Sequence, residues 1–133
     1  MKYMLDTNIC IYLIKQKSSN VLRHFESHGV GDIGLSSITL AELRYGVAKS
    51  RHSEKNRQAL DEFILPLEIA EFDEKAAEKY GTIRTLLEKD GRIVGPMDML
   101  IGAHAMSLRA TLVTNNTREF RQIKNLKVVD WSV

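Results

Sequence analysis

The sequence predicts a single α/β domain: a mostly parallel central sheet of about five short strands flanked by helices. Three observations lead there. Short apolar runs of strand length alternate along the chain with stretches whose apolar residues recur every three or four positions, as in amphipathic helices. Strand hands over to helix abruptly, as at Met4-Leu5-Asp6-Thr7-Asn8, which suits right-handed crossovers between parallel strands. The chain has 133 residues, 44% hydrophobic and 27% charged, long enough for one core without staples. No repeat, low-complexity tract or linker divides it, so residues 1–133 are expected to form one domain.

Lys2 to Leu5 reads as the first strand and Asn8 to Ile14 as the helix that follows, with Ile9, Leu13 and Ile14 on one face. Lys15 to Ser19 is a polar turn, after which Val21, Leu22 and Phe25 stripe a second short helix. Gly29, Gly31 and Gly34 punctuate a loop that runs into a brief strand, Ile33 to Ser37. From Thr39 to Lys49 the spacing of Leu40, Leu43 and Val47 predicts a helix with Glu42 in its first turn. Ser50 to Ser53 breaks it, and Glu54 to Leu65 resumes until Pro66. Leu67 to Phe72 alternates, giving the third strand. Asp73 is placed to cap a long helix from Glu74 to Lys89, closed by Asp90-Gly91. Pro96 stands where its missing N–H costs nothing, at the head of Met97 to Leu108, with Asp98 in that helix's first turn. Thr111 to Thr114 makes a fourth strand, Asn115 to Phe120 a strand-to-helix corner, and Lys127 to Trp131 a last strand.

A net charge of +2 does not argue for nucleic acid by its size, though it permits a basic face around an acidic cluster. With Cys10 as the only cysteine, an internal disulfide and a Cys-based zinc site are excluded. Its setting in the apolar first helix makes it a small buried hydrophobe. Asp6 and Asn8 interrupt any signal-peptide core, and no apolar run is long enough to cross a bilayer, so a cytoplasmic protein with no membrane association is expected.

Acids gather at the handovers. Asp6, Glu42, Asp98, and Asn116 with Glu119 all fall at starts of helices, and in an open parallel sheet the carboxyl ends of strands are where ligands sit. Oxygen donors without matching Cys or paired His select Mg²⁺, with Mn²⁺ as a substitute, over zinc or copper. The same positions suit helix capping: Thr39-x-x-Glu42 and Asn116-x-x-Glu119 match the capping box, and Asp6 and Asp98 complement helix N-termini. At any single position the spacing leaves both roles open. Convergence of the acids at one edge separates them.

Four motifs in register then carry a resemblance. Met4-Leu5-Asp6-Thr7-Asn8, Ser37-x-Thr39-x-x-Glu42-Leu43, Pro96-x-Asp98-x-x-Ile101-x-x-His104-Ala105 and Leu112-Val113-Thr114-x-Asn116-x-x-Glu119-Phe120 resemble, in order and spacing, those of PIN-domain ribonucleases, above all the VapC toxins of enteric bacteria and their plasmids. The resemblance covers essentially the whole chain and implies a PIN-like fold and a Mg²⁺-dependent endoribonuclease. Carried over by position, Asp6, Glu42 and Asp98 match the metal-holding acids, with Asn116 and Glu119 completing the catalytic set. Many PIN domains have an Asp where this chain has Asn116, which bears on a second metal because an amide adds no charge. Thr7, Asn8 and Thr114 are expected to support the ligands by hydrogen bonding. The reaction implied is hydrolysis that leaves a 5′-phosphate and a 3′-hydroxyl. The four histidines, including His104, show no acid–base pairing, and packing or surface roles are expected for them.

An acidic pocket repels RNA, so cations must hold the substrate, and Lys49, Arg51, Arg84, Arg92, Arg118 and Arg121, with Lys124 and Lys127, are candidates. Aromatics are too few for an extended stacking platform, which favours a folded RNA with one exposed loop. The resemblance suggests the anticodon region of initiator tRNA, with inhibition of translation as the result. It also implies a VapB-like antitoxin partner that reaches the acids, and a homodimer; the apolar residues Ile9, Tyr12, Leu13, Phe25 and Phe63 are candidates for the partner's groove and equally for the core or a homodimer face. The rival enzyme class, a haloacid-dehalogenase-like phosphohydrolase, would use Asp6 as nucleophile but needs an acid at position 8, where this chain has Asn8. A nucleotide-binding module lacks its Gly-rich loop or Walker lysine. A PIN-like RNA-binding module without catalysis would have no need of all three acids.

Overall fold

The computed structural model describes residues 1–133. Its five strands are β1 (Tyr3–Leu5), β2 (Ile33–Ser36), β3 (Glu68–Ala70), β4 (Thr111–Val113) and β5 (Val128–Val129). They form one sheet in the order β3-β2-β1-β4-β5, and every pairing is parallel. The connecting helices are α1 (Thr7–Lys15), α2 (Ser19–Ser27), α3 (Ser37–Ala48), α4 (Ser53–Ile64), α5 (Glu74–Lys89), α6 (Pro96–Ser107) and α7 (Thr117–Phe120). From β1 the chain winds outwards through β2 to β3, and then crosses back to lay β4 and β5 on the other side. The reversal falls between β1 and β4, and in parallel sheets the crevice at such a switch point is where ligands bind.

Side-chain alternation divides the interior into two cores. On β1 and β4, Leu5 and Val113 face one side with Ile9, Leu13, Leu60 and Trp131, whereas Met4 and Leu112 face the other with Ile83, Ile101 and Phe120. A sheet covered on both faces needs apolar residues at successive positions, hence the unbroken runs at Met4-Leu5 and Leu112-Val113. Cys10 is buried, as expected, and burial pushes its thiol well above the usual range.

Most local signals hold. Asp73 Oδ1 accepts from the Ala76 N–H at 3.0 Å, and Pro96 opens α6. Helix α5 ends in a Schellman turn, with Gly91 N bonded to Glu88 O and Arg92 N to Leu87 O. Its φ of +67° at Gly91 is the left-handed conformation that glycine takes without strain.

Two expectations at helix starts fail. Helix α3 begins at Ser37 rather than Thr39, because Ser36 takes the cap, its Oγ accepting from Ile38 N at 3.0 Å. Glu42 therefore lies in the second turn, and Thr39 is buried inside the helix with a hydroxyl lacking any partner. Asn116 caps nothing through its side chain. Neither capping box forms. The strands are also shorter than read: β3 loses both ends of Leu67 to Phe72, and β5 is two residues of the expected five.

Candidate active site

Asp6 leaves β1 at the switch point, its N–H bonded to Val113 O at 3.0 Å as the last rung beside β4. It is buried and does cap α1: Oδ1 accepts from Ile9 N at 2.9 Å. Its other oxygen accepts from the Thr114 hydroxyl, which in turn accepts from Asn116 N at 3.0 Å. Thr114 is thus the first residue past β4, locking the two strand ends together through their side chains. Across α1, Thr7 Oγ1 donates to Glu42 Oε1 at 2.6 Å. Thr7 and Thr114 each donate a hydrogen bond to an acid, while Asn8 is exposed and makes no side-chain hydrogen bond to any of them.

Asp98 and Glu119 form a second pair. Glu119 Oε1 accepts from Gly95 N at 2.8 Å and its Oε2 from Asn116 Nδ2 at 2.7 Å. Glu119 therefore does what a capping glutamate does, but for the start of α6 rather than of its own helix. Gln122 ties the same segment down by donating to Ile93 O at 3.1 Å. Asp98 lies within hydrogen-bonding reach of Glu119. The Asp98 carboxyl is pushed up to about 7 by burial first, then by Glu119, Asp6 and Glu42. Glu119 is held below its ordinary range by Asp98 and the Gly95 N–H. Asp6 is raised to about 6, chiefly by burial, against the Thr114 and Ile9 hydrogen bonds, with Glu42 and Asp130 adding repulsion.

These shifts are the sign of convergence. Asp6, Glu42, Asp98 and Glu119 come from four separate segments, yet they feel one another's charge at one sheet edge. Asp130, just past β5, joins that field, and nothing in its sequence neighbourhood marked it; its carboxylate accepts from Ser132 N and Oγ at 2.8 and 2.6 Å.

The residues from 3 to 126 match the PIN domain family model. Ribonuclease VapC2 of Rickettsia felis is 47% identical over 132 residues, covering 98% of both chains. The chain belongs to the VapC ribonucleases of the PIN-domain family. The tRNA(fMet)-specific endonuclease VapC of Shigella flexneri is 43% identical, covering 99% of each chain. A chain of the DNA-bound VapBC complex from Salmonella typhimurium superimposes with a TM-score of 0.93 at 42% identity, covering 98% of each.

PIN-domain nucleases are generally metal-dependent, and the donors of this VapC-family chain suit a hard divalent cation: all are oxygens, and burial, with the neighbouring acids adding to it, raises Asp6 and Asp98. The carboxylates are turned onto Thr114, Thr7, Ile9 and Gly95, and no three of them already surround a common point.

His104 packs, as expected. It is buried on α6, where its Nδ1 lies 2.7 Å from Ser36 Oγ. Ser36 Oγ thus accepts from Ile38 N and shares a second hydrogen bond with the imidazole. The bond ties α6, which carries Asp98, to the start of α3, which carries Glu42. Burial holds the ring below its ordinary 6.5, so its contribution to stability is full above that pH and declines as pH falls through it. His104→Leu strands the Ser36 hydroxyl and is expected to cost about 1–2 kcal/mol at pH 7.5. In urea titrations the gap to the parent protein should narrow by pH 5.5.

Beside Glu42 and Thr7 opens a cleft of about 600 Å³ between α1, α3 and α4, floored by Ile11, Ile14, Leu43, Val47 and Leu60. The expected groove residues are only partly right: Ile9 and Leu13 are core, Tyr12 accepts from Asn115 Nδ2, and Phe25 packs on Phe63. The 3.6-residue period identified α1's apolar faces without telling which one the sheet takes. The candidate cations are dispersed: Lys49 and Arg51 follow α3, Arg92 precedes α6, Arg118 lies in α7 and Arg121 follows it. Arg84 is spent on Tyr80 and Glu88 along α5.

Proposed function

We propose that this VapC ribonuclease cuts initiator tRNA in its anticodon region, using Mg²⁺ held by Asp6, Glu42 and Asp98. The observation that carries this reading is the gathering of Asp6, Glu42, Asp98 and Glu119 from four segments at the switch point, where burial and the neighbouring acids raise Asp6 and Asp98. When bound, the ion lowers the pKa of a water and offsets the charge of the phosphate, and Mn²⁺ has the same hard-oxygen preference. The chain's own groups prepare that chemistry. Thr114 and Ile9 N–H fix both oxygens of Asp6, and Thr7 fixes Glu42. Glu119 holds the start of α6 and, through it, the height of Asp98. Asn116 tethers Glu119 in the metal-free arrangement and contributes an uncharged oxygen. Lys49, Arg51, Arg92, Arg118 and Arg121, dispersed over the surface, are the cations available to a polyanion that the acidic centre itself repels.

The tRNA(fMet)-specific name of the 43%-identical relative supports the substrate. Mapping of new ends on initiator tRNA after incubation with Mg²⁺ tests it: one cut in the anticodon loop, leaving a 5′-phosphate and a 3′-hydroxyl, is expected. A cyclic phosphate or cuts scattered over the molecule would contradict it.

A nuclease acting in the cytoplasm needs restraint, and VapBC complexes among the structural neighbours support a VapB-like antitoxin. The apolar cleft ending at Thr7 and Glu42 suits an amphipathic segment whose tip carries a basic side chain towards the acids. Ala59 lines this cleft from α4. Ala59→Arg is expected to weaken inhibition by the antitoxin by about a hundredfold, because a charge is forced into an apolar contact, read as cleavage that persists on titration with the partner. A homodimer is proposed on family grounds and is checked by sedimentation.

A further inference from the structure

We propose that Tyr45, with Lys49 beside it, is a stacking site for the RNA base next to the bond that is cut. The proposal rests on the ribonuclease reading and extends it to how the substrate is held. Among nine aromatic residues, four Tyr, four Phe and one Trp, Tyr45 alone is exposed, at 65%. The others are buried or half-buried against the cores, so this ring has a face that the fold does not use.

Its position gives that face a purpose. Tyr45 lies three residues after Glu42 on α3, which makes the two neighbours on the helix surface. A helical side chain leans over the turn before its own Cα, and for Tyr45 that is the turn of Glu42. Lys49 Nζ stands 4.6 Å from the ring centroid, covering one face and leaving the other open. The nearby Arg44 is engaged with Asp61 at 2.7 Å. An open aromatic face next to a cation is what a nucleotide needs where the centre itself is acidic: the base stacks, and the ammonium meets a phosphate. Stacking tolerates any base, since each has a π-face.

Tyr45 does not line the apolar cleft, which takes Leu43, Gly46 and Val47 from another side of α3. The ring therefore lies apart from the surface assigned to the antitoxin. The charge beside it favours a nucleotide over a second copy of this chain.

The test uses steady-state cleavage of an RNA hairpin cut by the parent protein and a set of hairpins each carrying one abasic residue near the cut. Tyr45→Ala is expected to raise KM about tenfold with kcat within about twofold, and Tyr45→Phe, which keeps the ring, to restore the parent KM. One abasic position should cost the parent the same tenfold and cost Tyr45→Ala nothing more. A parent-like KM for Tyr45→Ala, or the same loss on every hairpin, would overturn the stacking site while leaving the nuclease reading intact. A Tyr45→Ala variant that changes its sedimentation but not its response to abasic RNA would assign the ring to a second copy instead. A parent that cuts no RNA would remove the nuclease reading, and this site with it.

Discussion

Asp6→Asn is expected to lower Mg²⁺-dependent cleavage on the order of a thousandfold, about 4 kcal/mol of transition-state stabilisation, while making the metal-free fold more stable. The two effects have one cause. Asp6 is buried at a point where Glu42 and Asp130 add to its cost, so its carboxyl is raised from 3.8 to about 6. Keeping it ionised at pH 7 costs the fold on the order of 3 kcal/mol. Asparagine retains the oxygen that caps Ile9 N and can donate to Thr114, so helix capping survives. In chelator at pH 7, Asp6→Asn should gain about 1–2 kcal/mol in urea unfolding. If Asp6 served only as a negative cap, the variant would instead be unchanged or weaker by up to about 1 kcal/mol.

The pH dependence follows with a definite sign. A carboxyl whose folded pKa lies above its unfolded value binds more protons in the folded state, so stability falls as pH rises from about 4 to 6 for Asp6. Asp98, raised to about 7, extends the decline upwards, and Glu119, held low, opposes it. The chelated parent should therefore lose part of its stability between pH 4 and pH 7, less so in Asp6→Asn. A divalent cation should restore it at pH 7.

Gly34→Ala is expected to cost at least about 3 kcal/mol and to abolish cleavage through the fold. A Cβ at Gly34 would meet the Met1 Cε and stand 2.5 Å from the Glu68 carbonyl oxygen, 3.2 Å from its Cβ. The methionine end can swing away, but the carbonyl belongs to β3, paired with Gly34 in parallel register. Relief would require β2 and β3 to separate. Two residues further on, Ser36 caps α3 and bonds His104, so a shift of β2 would carry Glu42 with it. Thermal unfolding checks the cost. An unchanged midpoint would mean that the sheet edge is softer than its contacts indicate.

Gly34 also illustrates which features the sequence made legible. The sequence placed it in the strand Ile33 to Ser37, but the reason for a glycine there, a contact with a strand 34 residues later, was not legible. Periodicity reported every helix and strand because each buries an apolar face locally. It was silent on contacts between segments. Asp6 was legible for the same local reason, an acid stopping an apolar strand. Glu42 and Glu119 stood out as acids at strand-to-helix handovers, and the capping boxes their spacing also allowed do not form: Ser36 outcompetes Thr39 for the start of α3, and Glu119 reaches Gly95 instead of its own helix. The capping geometry that their spacing allows does not form, so the local pattern and the four-motif register carry different information. Asp130 and Tyr45 were missed, one because its link to Asp6 is through space, the other because exposure cannot be read from a helical period.

The most direct measurement is cleavage of total cellular RNA by purified parent and Asp6→Asn protein, in Mg²⁺, in Mn²⁺ and in chelator, with thermal midpoints recorded on the same samples. Discrete cuts by the parent in either cation, absent in chelator and absent from an Asp6→Asn protein that melts no lower than the parent, are the predicted result. Cutting that persists in chelator, or in the folded variant, would contradict a metal centre built on Asp6.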